Sequence, residues 1–236
     1  MYDPSTYYTP VRMSRPFAAG APAGGDPFVG AFGFAQTTSG SSLTTPSRTS
    51  VAGNTVITLA SVVATGCAIG TPTDSQTNTY TEDRETATSS AFHLSISHAH
   101  NIAGGAGHTV TIGFTAGAFA KINALEYSGM ANANPEATND NGNLGTDETA
   151  DTGAVTASAG SMCVGMVSHS DVVERVITLT SAGWTQRIED EDVASGMPMN
   201  AADKVSAGAS ETGTWDVVAL GDSAVWLGVI ACYTME

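Results

Sequence analysis

The chain has 236 residues, 42% of them hydrophobic and 13% charged, a globular composition short of charge beside the about 25% of ordinary domains. Eight basic residues face 23 acidic ones, for a formal net charge of -15. A phosphate-binding face or an anionic-membrane face needs clustered Lys and Arg, so nucleic acid and membrane surfaces are excluded as partners.

Residues 1–35 differ from the rest and are expected to form an extended arm. Pro4, Pro10, Pro16, Pro22 and Pro27 interrupt any regular ladder. Between them stand Tyr2, Tyr7, Tyr8, Phe17, Phe28, Phe32 and Phe34, more aromatic surface than a free linker leaves in water. Residues 1–48 carry Arg12, Arg15 and Arg48 against Asp3 and Asp26, so this part can meet an acidic surface while the body repels its copies. Tyr2, Tyr7, Tyr8, Arg12, Arg15 and Phe17 are the candidate interface residues of the arm. The alternative is a tail folded back on its own domain. Residues 36–236 are expected to form one body. No apolar segment of signal-peptide type follows the first residues, and no run of about 18 apolar residues occurs to span a membrane.

Along the body, Asn54–Ala64 is a strand by length and β-branched content. Thr77–Thr81 reads as a short strand and Glu82–Ser90 as a polar loop. Phe92, Leu94, Ile96 and His98 alternate with His93, Ser95, Ser97 and Ala99, which predicts a half-buried strand. A glycine-rich turn over Asn101–Gly107 leads to a strand at His108–Thr115, and Phe119–Ser128 is the next. Asn132–Thr152, rich in Asn and acid and without Lys or Arg, reads as a long surface loop. Ser161–His169 and Val172–Leu179 are strands. A tight Gly183 turn precedes Trp184, Gly196–Asn200 is a turn, and Lys204–Ala207 opens a strand or its approach. Thr214–Leu220 and Ala224–Tyr233 close the chain, the latter apolar on both faces and therefore central. Strands at this spacing, with no helical period, predict an all-β, two-sheet antiparallel sandwich of jelly-roll type. No repeat at a fixed period is visible.

The candidate sites follow from residue type. His98 and His100 share a strand face and His108 starts the next strand, so a hairpin can gather three imidazoles for Zn²⁺; the competing reading is polar surface or interface groups. Asp140 and Asp147, with Glu148 and Asp151, offer hard oxygens for Ca²⁺, against a plainly solvated loop. Otherwise no cofactor is expected. Cys67, Cys163 and Cys232 have no CxxC or CxxH spacing and give no disulfide framework; each is expected as a buried thiol. Trp215 and Trp226 read as core. Trp184, beside Thr185 and Gln186, is the candidate sugar platform or interface anchor. No GxSxG, HExxH, P-loop or Rossmann pattern occurs, and Glu189 with Glu191 reads as a solvated acidic face. No enzyme is expected.

Five short phrases together resemble a diverse family of jelly-roll or lectin-like β-sandwich domains, found in tailed-phage virion proteins and bacterial surface modules. They are Asn78–Thr81 (NTYT), Thr109–Ile112 (TVTI), Leu125–Gly129 (LEYSG), Gly183–Thr185 (GWT) and the Trp-containing strand Trp226–Tyr233. The resemblance covers about residues 50–236 and leaves the arm out. It implies a non-catalytic role and carries over no catalytic residue. With the arm added and no signal peptide, the expectation is a virion protein made in a host cytoplasm. It would decorate or cement a capsid as a homo-oligomer or on the major capsid protein. A tail-fibre or receptor-binding module for a surface glycan is the alternative, and a secreted lectin-like domain the second.

Overall fold

The computed structural model describes residues 26–64, 66–88, 92–115, 119–130, 140–170, 175–190, 198–218 and 225–236. Among these residues, eleven strands precede residue 131: β1 (Phe28–Ala31), β2 (Ala35–Thr37), β3 (Ser42–Thr44), β4 (Arg48–Ser50), β5 (Thr55–Val63), β6 (Thr73–Asp74), β7 (Thr81–Thr88), β8 (Phe92–Ala99), β9 (Gly105–His108), β10 (Val110–Gly113) and β11 (Phe119–Tyr127). Ten follow: β12 (Asp140–Gly145), β13 (Thr149–Asp151), β14 (Val155–Thr156), β15 (Met162–His169), β16 (Ile177–Leu179), β17 (Thr185–Asp190), β18 (Met199–Val205), β19 (Ser210–Glu211), β20 (Thr214–Val217) and β21 (Trp226–Tyr233). No described residue is helical. The chain is all-β and antiparallel throughout, as its alternation and composition predict.

The two sets of strands repeat one topology. The first large sheet runs β1-β11-β5-β8-β7 and the second runs β12-β21-β15-β18-β17. The small sheet β3-β10-β6 is matched by β13-β20-β16, and the pair β4-β9 by β14-β19. Only β2, a second partner of β11, has no counterpart. The local irregularities match too. β7 bulges between Glu82 and Arg84 against β8, and β17 bulges between Gln186 and Ile188 against β18. This corrects the reading of a chain without repeats. The repeat lies in strand order and register, whereas the residues at equivalent places have diverged.

The two large sheets pack face to face. Ile57, Leu59, Leu94, Ile96 and Leu125 of the first meet Val164, Met166, Met199, Leu227 and Val229 of the second in one central core. On the far face of each large sheet a second core forms under the small sheets. One contains Val56, Val62, Ile112 and Ile122, the other Trp184, Trp215, Val217 and Ile230. The result is four layers, with the large sheets inside and covered on both sides. That is why every residue of β8, β15 and β21 is buried, and why the half-buried strand predicted from the alternation of β8 is buried on both faces. Each fully buried aliphatic side chain here contributes about 2 kcal/mol. At the crossing of β12 over β7, a Cβ at Gly142 would collide with Thr86 Oγ1, so only glycine permits that approach.

Several segments depart from their sequence reading. Glu82–Thr88, read as a polar loop, belongs to β7. Among the described residues it is an edge strand paired only with β8, so polar side chains cost it little. Lys204 lies near the end of β18 rather than at the beginning of a strand. The surface loop read over 132–152 contains β12 and β13. The body also starts before residue 36, because β1 pairs with β11 through Phe28↔Tyr127 and Ala31↔Leu125.

Cys163 and Cys232 face each other in register on β15 and β21, with Cα atoms 4.0 Å apart, and form a disulfide. This overturns the reading of three inert thiols. A separation of 69 residues carries no spacing signal, and only strand pairing brings the two together. Cys67 alone is free and buried.

Candidate functional site

Between the large sheets buried polar groups cross from one half to the other at Ser61 with Ser168 and at Lys121 with Asp190, and each half also reaches into the other through a tyrosine. Each half's last long strand ends in a tyrosine, Tyr127 in β11 and Tyr233 in β21, both fully buried. A buried phenol needs a hydrogen-bond partner. Tyr127 donates to Asp203 Oδ2 at 2.9 Å and Tyr233 donates to Asp83 Oδ2 at 2.7 Å. Each bond crosses from one half to the other.

The acids are held in equivalent ways with the strands of acid and base exchanged. In the second half, the bulge of β17 turns Arg187 inward, and its Nε donates to Asp203 Oδ2 of β18 at 2.7 Å. In the first half, the bulge of β7 presents the acid, Asp83, and β8 supplies the base: His98 Nδ1 lies 2.7 and 2.9 Å from the two carboxylate oxygens. Burial raises the pKa of Asp203, and the Arg187 and Tyr127 hydrogen bonds only partly oppose it. Burial, then the Asp203 charge, pushes the Tyr127 phenol well above its usual range. For Arg187, burial is outweighed by the carboxylates of Asp203 and Asp26, which hold its proton more firmly still.

The Arg187 end is also where the chain enters the body. Arg187 Nη2 donates to both oxygens of Asp26, at 2.7 and 2.6 Å, and its guanidinium lies 4.4 Å from the centre of the Phe28 ring. Phe28 in turn packs edge-on against Tyr127, with ring centres 5.5 Å apart. Pro27 O accepts from Ser128 N at 2.9 Å. Beside this clamp lies a cavity of about 360 Å³ lined by Asp26, Thr185, Arg187, Asp203, Lys204 and Val205, among others.

The sequence-derived candidates fall as follows. His98 and His100 are brought together, with ring centres 4.2 Å apart, but His108 is not with them. It is fully buried between Ser50 Oγ, 2.7 Å from Nδ1, and Asp74 Oδ2, 3.0 Å from Nε2, and its ring meets Phe32. The three imidazoles therefore do not converge. Among the described residues no group of three His, Cys, Asp or Glu is placed to hold a metal. Asp147 accepts from Trp226 Nε1 at 3.0 Å, a packing role. Asp140 lies on β12 opposite Ala231. Trp184 is 8% exposed and belongs to the outer core of the second half, so it is no sugar platform: the Gly183 turn, at φ +80°, returns the ring to the sheet above Gly165. Tyr2, Tyr7, Tyr8, Arg12, Arg15 and Phe17 lie outside the described residues.

Sequence reasoning passed over Asp83, Arg187, Asp203 and both tyrosines. The one available signal was a charged residue inside a strand pattern, Asp203 before Lys204 after an apolar run. Several residues of the phrases that carry the family resemblance have structural roles. Asn78 and Tyr80 bond to Asp74. Glu126 accepts from Val51 N and Asn54 Nδ2 and pairs with Arg48. No family model, curated protein or solved structure matches the chain.

His100 gives this end a defined pH response. Burial first, and the neighbouring His98 second, hold its pKa down at about 4, against 6.5 for a free imidazole. Between those values the unfolded chain binds the proton and the folded chain does not, so stability falls as pH drops from 6.5 toward 4. Melting temperature measured across that window is expected to fall less steeply in His100→Gln than in the native chain. Equal slopes would remove His100 as the source.

Proposed function

We propose that the chain is a non-enzymatic structural protein of a virion, a capsid decoration or cement protein. It attaches through residues 1–25 and through contacts with the major capsid protein or further copies of itself. The observation that carries this reading is how the body receives the chain. A pull on the N-terminal residues reaches Asp26, then Arg187 and Asp203 of the second half, then Tyr127 of the first, while Phe28 and β1 pass it to β11. Load applied at the N-terminal side is thus shared by both halves through charge-assisted bonds, the strong class of hydrogen bond. A four-layer body with a cross-strand disulfide suits a part that bears load. Disulfides persist in oxidising surroundings and are rare in the cytosol, which favours service outside the cell in which the chain is made.

Removal of residues 1–25 tests the reading, because it leaves Asp26 and its clamp in place. The truncated body is expected to melt like the whole chain and to lose co-sedimentation with assembled capsids. A truncated body that still co-sediments as the whole chain does would refute attachment through the arm.

The second reading, a receptor-binding or lectin-like module for a surface glycan, draws on the cavity beside Arg187 and not on Trp184.

A further inference from the structure

We propose that the cavity beside Arg187 is a binding site for a neutral polyhydroxylated ligand about the size of one sugar ring. The inference stands whether or not residues 1–25 attach to a capsid. The cavity's volume of about 360 Å³ lies within the range of small-molecule sites, roughly 300–1,000 Å³. Its charges decide the ligand class. Each base at the cavity already has its acid, Arg187 with Asp26 and Asp203 and Lys204 with Glu211, so a free anion meets no unpaired cation there. A ligand whose groups both donate and accept meets complementary partners instead.

Those partners are placed in advance. Both hydrogen bonds to Asp203 fall on Oδ2, which leaves Oδ1 to accept. Arg187 spends Nε and Nη2 on Asp203 and Asp26, which leaves Nη1 to donate. A carboxylate oxygen beside a planar guanidinium matches two adjacent hydroxyls. Tyr127 and Phe28 hold the pair fixed, so little ordering cost falls on binding. Thr185 adds an exposed hydroxyl at the rim. Val205 leaves an apolar surface 52% exposed beside these polar groups, and the C–H face of a sugar ring would cover it. At the rim Gly183 carries no side chain, and a Cβ there would stand 3.5 Å from Lys204 Cε. In the first half the place of Val205 is taken by His100 and that of Arg187 by Asp83, so only one end of the molecule has this arrangement.

The full-length chain is to be titrated with a panel of free hexoses and N-acetylhexosamines and followed by amide-resolved NMR. At least one sugar is expected to give saturable shifts confined to Gly183–Arg187, Asp203–Val205 and Asp26. Val205→Trp, which fills the mouth from an exposed position, and Thr185→Val are each expected to weaken that binding at least about tenfold, or about 1.4 kcal/mol, with melting temperature unchanged. No saturable shift from any sugar overturns the proposal, as does binding that keeps full strength in Val205→Trp. Saturation of the same amides by inorganic phosphate or Ca²⁺ in place of a sugar also overturns it.

Discussion

Reduction of the Cys163–Cys232 bridge is expected to lower the stability of the folded chain by about 4 kcal/mol, the chain-entropy value for a loop of this length. The bridge closes a 69-residue segment that includes β16 to β20, so the reduced unfolded chain regains the freedom of nearly the whole second half. In a chain of this size the loss corresponds to a fall of roughly 10 °C in melting temperature. The replacement Cys163→Ala with Cys232→Ala should reproduce it without a reductant. Both sulfurs are buried between strands already paired in register, so the native fold is kept and the change acts on the unfolded state. Thiol titration of the unreduced, denatured protein checks the premise. One thiol, that of Cys67, is expected to react, and three should react after reduction. Three reactive thiols before reduction, in protein recovered from an oxidising medium, would dispose of the bridge and of the stability loss with it.

The same bridge marks where sequence reading succeeds and where it stops. β5, β8, β11, β15 and β21 were legible because they carry long apolar or alternating patterns, and burial on both faces only deepens that signal. β7 was not, because Thr81–Thr88 pairs on one side alone and its sequence, TEDRETAT, follows the demands of an edge and not of a core. The duplication was hidden for a related reason. A sandwich asks of each equivalent position only that it be apolar, small or suited to a turn, and Thr55 can stand where the other half has Met162. Tyr127 and Tyr233 are an exception, because each must place a hydroxyl on an acid of the opposite half. The candidate site was illegible because its members are spread over separate strands of both halves. Asp26, Arg187 and Asp203 have no spacing in common, and Asp83 and Arg187 reach the core only through bulges. The histidines misled because strand proximity in sequence put His108 beside His98, whereas the glycine-rich stretch after Asn101 forms β9 and carries His108 to Asp74 in the outer core.

Replacing Arg187 by Met is expected to destabilise the chain by about 3–5 kcal/mol, the usual cost of leaving one buried charge without its partner. Asp203 has a 3% exposed side chain and keeps only the Tyr127 hydroxyl once the guanidinium is gone. Burial already raises its pKa and Arg187 is the main opposing influence, so the variant should raise it further. A carboxyl whose folded pKa stands above its unfolded value contributes stability below the unfolded pKa and loses it as pH rises through the folded one. The deficit of Arg187→Met should therefore be smallest in acid and widen toward neutral pH, as read from urea unfolding at several pH values. Adding Asp203→Leu together with Tyr127→Phe removes the stranded charge and the hydroxyl that bonds to it and should recover most of the loss, since apolar replacement of a whole buried polar group is often neutral. The other end of the core supplies the control. His98→Gln deletes the equivalent base beside Asp83, and Tyr233 still donates to that acid. Its cost is expected to be that of a buried hydrogen bond, about 1–3 kcal/mol. If His98→Gln costs as much as Arg187→Met, the two ends are energetically equivalent and the Arg187 end has no special role in joining the chain's N-terminal side to the body.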